Sequence, residues 1–386
     1  MSAPSHASPS SERSSESSRA TRTFVFAGGG SGGHISPGLA IAERLLESCR
    51  EARAIFVCST RSIDQTMLVD ASARFEALPA APFTLRPIGL VRFVRAFRRC
   101  EQMAGALLER ERVEGVISLG GFVSAPVASA AGRRNIPITL VNLDAHPGRA
   151  NRWLAKKSST VLSAVPTPED RSFSARIERI VGMPLRRIAM SPASPEHCRQ
   201  RLGLDPNLKT LLVTGASQGA MSLNRFVVAL AARDPGSLRG WQVLHLSGPD
   251  EVEPVSAGYR AAGVRALVLP FLHRMGLAWG AADLAVSRAG ASSVAEAAAN
   301  AVPSLFLPYP YHRDLHQRLN AEPIVALGGA RLALDQIDPQ LNVRAIGPQL
   351  IELLTDDPLR ASLKAALRAH PPIDAAADIA RSLLER

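Results

Sequence analysis

The sequence predicts an α/β fold of two doubly wound, Rossmann-like domains facing each other across a cleft. Three observations carry this expectation. Short apolar runs alternate with helical stretches along the chain, the pattern of parallel sheets covered by helices. The alternation restarts after Pro184, giving two series of about five strands each. Finally, 386 residues of which 46% are apolar can bury two sizeable cores.

The elements follow in order. Residues 1–20, "MSAPSHASPSSERSSESSRA", are serine-rich and lack an apolar segment, so they read as a disordered tail rather than a signal peptide. The first series of strands is Thr23–Ala27, Ala54–Cys58, Gly115–Ser118, Ile138–Val141 and Val161–Leu162. The second is Thr210–Thr214, Gln242–Leu246, Ala266–Leu269, Leu284–Ser287 and Ser304–Leu307. The break falls near "VGMPLRR", residues 181–187, which divides an N-terminal domain, 21–185, from a C-terminal domain, 186–386. A last helix, Asp374 to Leu384, follows the Pro371-Pro372 breaker and is a candidate to pack back on the N-terminal domain.

Composition narrows the function. No apolar stretch approaches the roughly 20 residues that span a bilayer. Cys49, Cys58, Cys100 and Cys198 form neither a C-x-x-C pair nor a His/Cys cluster, which argues against a structural zinc and for a reducing compartment. The net charge is +11, and only four of the 45 basic residues are lysines, so the excess is arginine. Anionic partners are therefore expected. An aromatic fraction of 5%, with no aromatic-basic array, speaks against nucleic acid.

In doubly wound folds ligands sit at the carboxyl ends of the strands, and three strand-to-helix loops stand out. The first is "FVFAGGGSGGHISPGLAIAERL", residues 24–45, in which Gly28, Gly30 and Gly33 have the G-x-G-x-x-G spacing. Glycines admit an anion to the backbone, and a helix start offers free N–H groups and a positive dipole end. Pro37 suits the first turn of that helix. A NAD site would carry an acid at the end of the next strand; "VCSTRS" has Arg61 instead, which disfavours NAD and leaves NADP open. His34, directly behind the glycines, is either a polar residue at a helix start or a general base facing the cleft. The second loop, "LLVTGASQGAMSLN", residues 211–224, could bind a phosphate through Ser217 and the amides of Gln218 and Gly219, or could be a plain helix cap. The third is "ADLAVSRAGASSVAEAAANAVPSLFLPYP", residues 282–310. There Ser293 and Glu296 match an S-x-x-E capping box, and Glu296 alternatively suits the two hydroxyls of a ribose. The chain has no Asp-x-Asp, so no metal is expected in the site.

These motifs resemble the MurG family of peptidoglycan N-acetylglucosaminyltransferases, enzymes of two Rossmann domains (GT-B). The resemblance runs from about residue 23 to 340 through "GGGSGGHISPGLAIA", "SLGGFVSAPVASAA", "PGRANRWLA", "GMPLR", "GASQGAMSLN", "PFLHRM", "SRAGASSVAEAAANAVPSLFLPYP" and "DLHQRLNA", collinear and with the family's spacing. It implies transfer of N-acetylglucosamine from its UDP donor to the muramyl sugar of lipid I, giving lipid II, with inversion, at the cytoplasmic membrane face and without a cofactor. It also implies that the N-terminal domain meets the acceptor and the C-terminal domain binds the UDP-sugar. Gly30, Ser31 and Gly32 then approach the donor sugar and diphosphate, and Arg186 is the arginine after the interdomain proline. Ser217 and Gln218 lie in the turn that meets the diphosphate, and the backbone of Leu272 meets uracil. The segment Ala291, Ser292, Ser293, Val294, Ala295 and Glu296 surrounds the diphosphate and ribose, and Gln317 contacts the sugar. One departure stands out. Where many members carry His-Glu-x-Asn, this chain has Val141, Asn142, Leu143 and Asp144. Asp144 is therefore a candidate, beside His34, for the catalytic base and for acceptor binding, and a related transferase with another acceptor stays open.

The stretch "TLRPIGLVRFVRAFRRCEQMAGALL", residues 84–108, completes the expectations. On a helix, Leu90, Phe93, Val94 and Phe97 form one stripe. Arg86, Arg92, Arg95, Arg98 and Arg99 precede the first acid, Glu101. Either this is an amphipathic helix packed on the sheet, or residues 84–100 dock on an anionic membrane surface.

Overall fold

The computed structural model describes residues 21–29, 32–81, 87–215, 219–310 and 316–385. The expected tail, residues 1–20, lies outside the described residues.

The N-terminal domain runs β1 (Arg22–Ala27), α1 (Gly32–Ser48), β2 (Ala52–Ser59), α2 (Ser62–Asp70), β3 (Phe75–Leu78), α3 (Pro87–Arg110), β4 (Val113–Ser118), α4 (Ser124–Gly132), β5 (Ile138–Asn142), α5 (Arg149–Leu154), β6 (Thr160–Ser163), α6 (Arg171–Ser174) and β7 (Arg179–Ile180). The C-terminal domain continues with α7 (Pro195–Leu202), β8 (Lys209–Thr214), α8 (Met221–Arg233), β9 (Trp241–Leu246), α9 (Val252–Ala261), β10 (Ala266–Leu269), α10 (Met275–Ala281), β11 (Leu284–Ser287), α11 (Ala291–Ala299), β12 (Ser304–Phe306), α12 (His316–Ala326) and β13 (Ala330–Leu332). Four helices close the chain: α13 (Pro339–Ala345), α14 (Gly347–Thr355), α15 (Asp357–Ala369) and α16 (Ala375–Leu384).

All strand pairs are parallel. The first sheet has the order β3-β2-β1-β4-β5-β6-β7 and the second β10-β9-β8-β11-β12-β13. The inner strands are buried on both faces, so they read as unbroken apolar runs: five of the six residues of β1 are buried, and all of β9. Three strands went unread in the sequence, and they are edges. β7 is exposed at both its residues, and β3 and β13 are only partly buried. An edge strand covers less apolar surface, so its sequence carries a weaker signal.

Helix α1 begins earlier than its proline suggested. Gly32 and Gly33 are already helical, which makes Pro37 the sixth residue rather than a first-turn residue. Its missing N–H forfeits one bond to the carbonyl four residues back.

Each sheet has a core on both faces. On one face of the first sheet Phe26, Phe56, Ile41, Leu45 and Leu68 pack together; on the other, Val25, Ile55, Leu107, Val127 and Leu154. The last helix joins the first of these. Ala375, Ala376, Ile379, Ala380 and Leu383 of α16 are buried in that cluster, against α1, and the buried Arg44 of α1 donates from Nε to Asp374 at the start of α16 at 2.9 Å. The last described helix thus packs on the N-terminal domain. Ile379, with no exposed surface, tests this crossover. Ile379→Ala is expected to lower unfolding free energy by about 2–5 kcal/mol in denaturant titrations, the cost of truncating a buried aliphatic side chain. A change below about 0.5 kcal/mol, usual for surface positions, would mean that α16 does not stay docked.

Candidate active site

In both sheets the strand order reverses beside the first strand, between β1 and β4 and between β8 and β11. A doubly wound sheet opens its ligand crevice at this switch point, outside the strand carboxyl ends. The glycine loops found in the sequence are the loops that leave these strands.

In the N-terminal domain the loop after β1 meets the loop after β4. Gly121 has φ +81°, and a side chain there would run into the carbonyl of Gly29, so only glycine lets the two turns touch. Ser124 secures the pair, donating to the carbonyls of Ala27 and Gly120, each at 2.7 Å. Gly30 and Ser31 lie outside the described residues, and Gly32 opens α1. His34 follows in the first turn of α1 and is partly buried. Burial lowers its pKa below 6.5, opposed by the carboxylates of Asp144 and Asp64 and by a backbone hydrogen bond at Gly29. The imidazole is therefore neutral near pH 7 and able to accept a proton.

Asp144, separated from His34 by over a hundred residues, comes close enough to act on it electrostatically. It sits in the loop after β5. The fully buried Asn142 shapes that loop by donating from Nδ2 to the Asp144 carbonyl at 2.7 Å and to Ser163 at 2.9 Å, and by accepting from Asn151 at 3.0 Å. Asn142 is thus a loop brace. Asp64, which the sequence reading passed over, is fully buried in the first turn of α2. It accepts from the Ser59 hydroxyl at 2.5 Å, and its Oδ2 lies 2.6 Å from where a Cβ on Gly29 would be.

In the C-terminal domain β8 runs into Gly215. Residues 216–218, including Ser217 and Gln218, lie outside the described residues. Gly219, φ +73°, packs directly against the Ser247 carbonyl at the end of β9, where no side chain fits. The start of α8 is pinned there too. Asn224 donates to that carbonyl at 2.9 Å and bonds His245 at 3.0 Å, which in turn bonds Tyr259 at 2.9 Å. Burial pushes His245 down to about 3, so it serves as a neutral strut.

After β11 comes Arg288, a second residue the sequence reading did not single out. Buried, it pairs with Asp335 at 2.8 Å and donates to Ser222 of α8 at 2.7 Å and to the Leu307 carbonyl at 3.0 Å. It fixes the start of α8 and the segments after β11, β12 and β13 relative to one another. Gly290, in extended conformation, is the N-cap of α11 and offers no side-chain cap. The first amides of α11, at Ala291, Ser292 and Ser293, therefore point an uncapped positive dipole end at the crevice.

The capping-box expectation is corrected here. Because Gly290 takes the N-cap, Ser293 is the third residue inside α11 and Glu296 lies in the middle of the helix. Glu296 turns instead to α10, where the indole N–H of the buried Trp279 donates to its Oε2 at 2.8 Å. Desolvation pushes the Glu296 carboxyl up to about 7, against the lowering effect of that hydrogen bond. Val294 is buried in the core while Ala295 is only partly covered.

The remaining candidates are more scattered. Leu272 sits in the loop after β10, half-buried at the edge of the second core. Its neighbour His273 approaches Asp70 of α2 at 3.5 Å, a contact between the two domains. Gln317, in the first turn of α12, accepts from the Tyr309 amide at 2.8 Å. Arg186 engages Glu43 of α1 at 2.9 Å, which ties the interdomain link to the N-terminal domain. No group of three His, Cys, Asp or Glu among the described residues could hold a metal ion.

Helix α3 divides in two. Its C-terminal half buries Cys100, Ala104, Leu107 and Leu108. Its N-terminal half buries nothing from Gly89 to Arg99, and Leu90, Val91 and Val94 are 39%, 52% and 39% exposed. Residues 84–86 lie outside the described residues. Among those described, no helix is long and apolar enough to cross a membrane.

Known proteins place this architecture. The glycosyltransferase family 28 N-terminal domain matches residues 24–163, and the family's C-terminal domain matches residues 210–359. The chain is therefore a glycosyltransferase built of two Rossmann-like domains, the GT-B class. Two relatives, from Frankia casuarinae and Nocardioides sp., bear the name UDP-N-acetylglucosamine–N-acetylmuramyl-(pentapeptide) pyrophosphoryl-undecaprenol N-acetylglucosamine transferase. The first is 36% identical over 81% of this chain and 83% of its own length, the second 34% identical over 94% and 97%. The chain belongs to glycosyltransferase family 28, among the MurG enzymes. The crystal structure of MurG from Acinetobacter baumannii shares the fold, with a TM-score of 0.72 at 23% identity over 95% of this chain and 100% of that one. The calicheamicin glycosyltransferase CalG4 shares it at 0.60 and 15% identity, over 95% and 99%.

Proposed function

We propose that this chain transfers N-acetylglucosamine from UDP-N-acetylglucosamine to the muramyl sugar of lipid I, forming lipid II. The observation that carries the reading is the pairing of two switch-point sites. One, with a neutral histidine behind touching glycine turns, suits an acceptor. The other, with an uncapped helix start and a ribose-suited carboxylate, suits a nucleoside diphosphate.

In the reaction an acceptor hydroxyl oxygen attacks the anomeric carbon from the face opposite UDP. The new glycosidic bond forms as the bond to the β-phosphate oxygen breaks, so the configuration inverts. The hydroxyl proton passes to the base, His34 or Asp144, and the bonding pair leaves with UDP. The amides of Ala291 to Ser293, together with Ser217 and Gln218, receive the growing diphosphate charge through preorganised donors. Gly30, Ser31 and Gly32 let the backbone close on the donor sugar, Gln317 contacts that sugar, Leu272 borders the uracil, and Glu296 accepts from the ribose. The test is a transfer assay with labelled donor and a short-chain lipid I analogue, which should yield the disaccharide product. UDP-N-acetylglucosamine should also raise the melting temperature while NADPH leaves it unchanged. Donor stabilisation without transfer to lipid I would move the altered loop at 141–144 to the centre and point to another acceptor.

The acceptor's polyprenyl tail stays in the bilayer, so the enzyme must work at its surface. The reading is a peripheral protein on the cytoplasmic face, docked through residues 84–100. The N-terminal half of α3 supports it: Leu90 and Val94 of its apolar stripe are exposed, Phe93 and Phe97 are half-buried, and Arg92, Arg95, Arg98 and Arg99 are exposed around them. Each basic residue near an anionic surface contributes about 1 kcal/mol. The protein should therefore sediment with anionic liposomes at low salt and release at high salt. A variant with those four arginines changed to glutamine should bind far less and still bind UDP-N-acetylglucosamine. Equal sedimentation by both would return α3 to an ordinary packing helix.

A further inference from the structure

We propose that Trp279 is a positioning residue for the donor, its indole N–H holding one oxygen of Glu296 so that the other is presented to the ribose. The proposal rests on the reading of Glu296 as the ribose carboxylate. The two residues are 17 positions apart, on different helices, and meet through a single 2.8 Å hydrogen bond. Trp279 has almost no exposed surface and packs in the core beneath α11 with Ala278, Ala281 and Val294. A side chain held that firmly has one orientation, and its only polar atom is spent on this carboxylate. Glu296 has several rotatable bonds and lies in mid-helix, where no cap fixes it. Anchoring Oε2 removes that freedom before the donor arrives, which lowers the ordering cost of binding.

The anchor also bears on charge. Burial works against ionisation of Glu296, and among the described residues the indole is what opposes it; no charged side chain contributes. An ionised carboxylate accepts from both ribose hydroxyls, whereas a protonated one must use one oxygen as a donor. A tryptophan supplies the needed hydrogen without bringing a cation that would compete with the ribose for the carboxylate. A lysine or arginine in its place would form a salt bridge and close the site.

The test separates the anchor from the ribose reading. UDP and 2′,3′-dideoxy-UDP are titrated calorimetrically at one alkaline pH against the wild type, Glu296→Ala and Trp279→Phe. The wild type should prefer UDP by about tenfold or more, the range for hydrogen bonds to a charged group, and Glu296→Ala should show no preference. Trp279→Phe should keep the fold and lose most of the preference. Where phenylalanine leaves the helix pair poorly packed, the benzothiophene isostere of tryptophan at position 279 keeps the volume and removes only the donor. A second readout is the affinity for UDP-N-acetylglucosamine, whose diphosphate is esterified at both ends and so has no proton that titrates near neutral pH. Wild-type affinity should fall as pH drops through about 7, and the midpoint should move upward in Trp279→Phe, because the bond favouring the charged form is gone. If the wild type discriminates, Glu296→Ala does not, and both Trp279 variants behave as wild type in preference and midpoint, the anchor is overturned and the ribose reading stands. A wild type that does not discriminate overturns both.

Discussion

His34→Ala is expected to reduce turnover at saturating donor by about 10²–10⁴-fold, the range for a positioned general base. His34 sits at the end of the glycine turn, one helical turn from the β1/β4 switch point, and burial keeps it neutral. Asp144→Asn then distinguishes two roles for the neighbouring carboxylate. If Asp144 is itself the base, its loss should be as severe as that of His34. If it acts through His34, turnover should stay within about tenfold, and the pH profile should move. The sign is fixed. Asp144 raises the pKa of His34, so removing its charge lowers that pKa further, and the acid limb of kcat shifts to lower pH. Losses below tenfold in both variants would place the base elsewhere. Donor affinity should change less than turnover in either variant, because neither side chain is assigned a contact with the donor.

Glu296→Ala is expected to raise the KM for UDP-N-acetylglucosamine by about ten- to a hundredfold with a smaller change in kcat, since each hydrogen bond to a charged group contributes about 1.5–3 kcal/mol. Its effect on stability should be small. The substitution removes a carboxylate whose ionisation burial opposes, which is favourable, and strands one indole N–H, which is not. Melting within a degree or two of wild type is the expected result. A helix-capping glutamate would behave oppositely, with a lower melting temperature and unchanged donor affinity, and that pattern would remove Glu296 from the donor site.

The strongest parts of the fold were legible because their signals are local. β1, β8, β9 and β11 are apolar runs followed by small residues, and a buried parallel strand has no other way to read. The turns at Gly28, Gly215 and Gly290 were legible for the same reason, as was the final helix after two prolines. The doublet Gly120-Gly121 carries the same strand-then-glycine signal but was not singled out, and only the structure shows its turn touching the opening loop.

Other features depended on strand order, which no local pattern encodes. The 3-2-1-4 arrangement within each sheet is what brings the β1 and β4 loops together and sets Asp64 and Asp144 near His34. Nothing near Trp279 in sequence hints at Glu296, because their meeting depends on how α10 and α11 pack beside β11. Likewise Arg288 reads as one arginine among many until burial forces it to find Asp335, Ser222 and a strand-end carbonyl at once. The capping box failed through competition: Ser293 and Glu296 had the right spacing, but the helix started at Gly290, where the turn after β11 already supplied the extended residue that an N-cap needs. Sequence determined which segments could be strands, turns and helices, since those choices rest on neighbours a few residues apart. Tertiary structure alone decided which charged and polar groups face each other, since a buried polar atom takes the partner that packing puts within reach, however far away it lies along the chain.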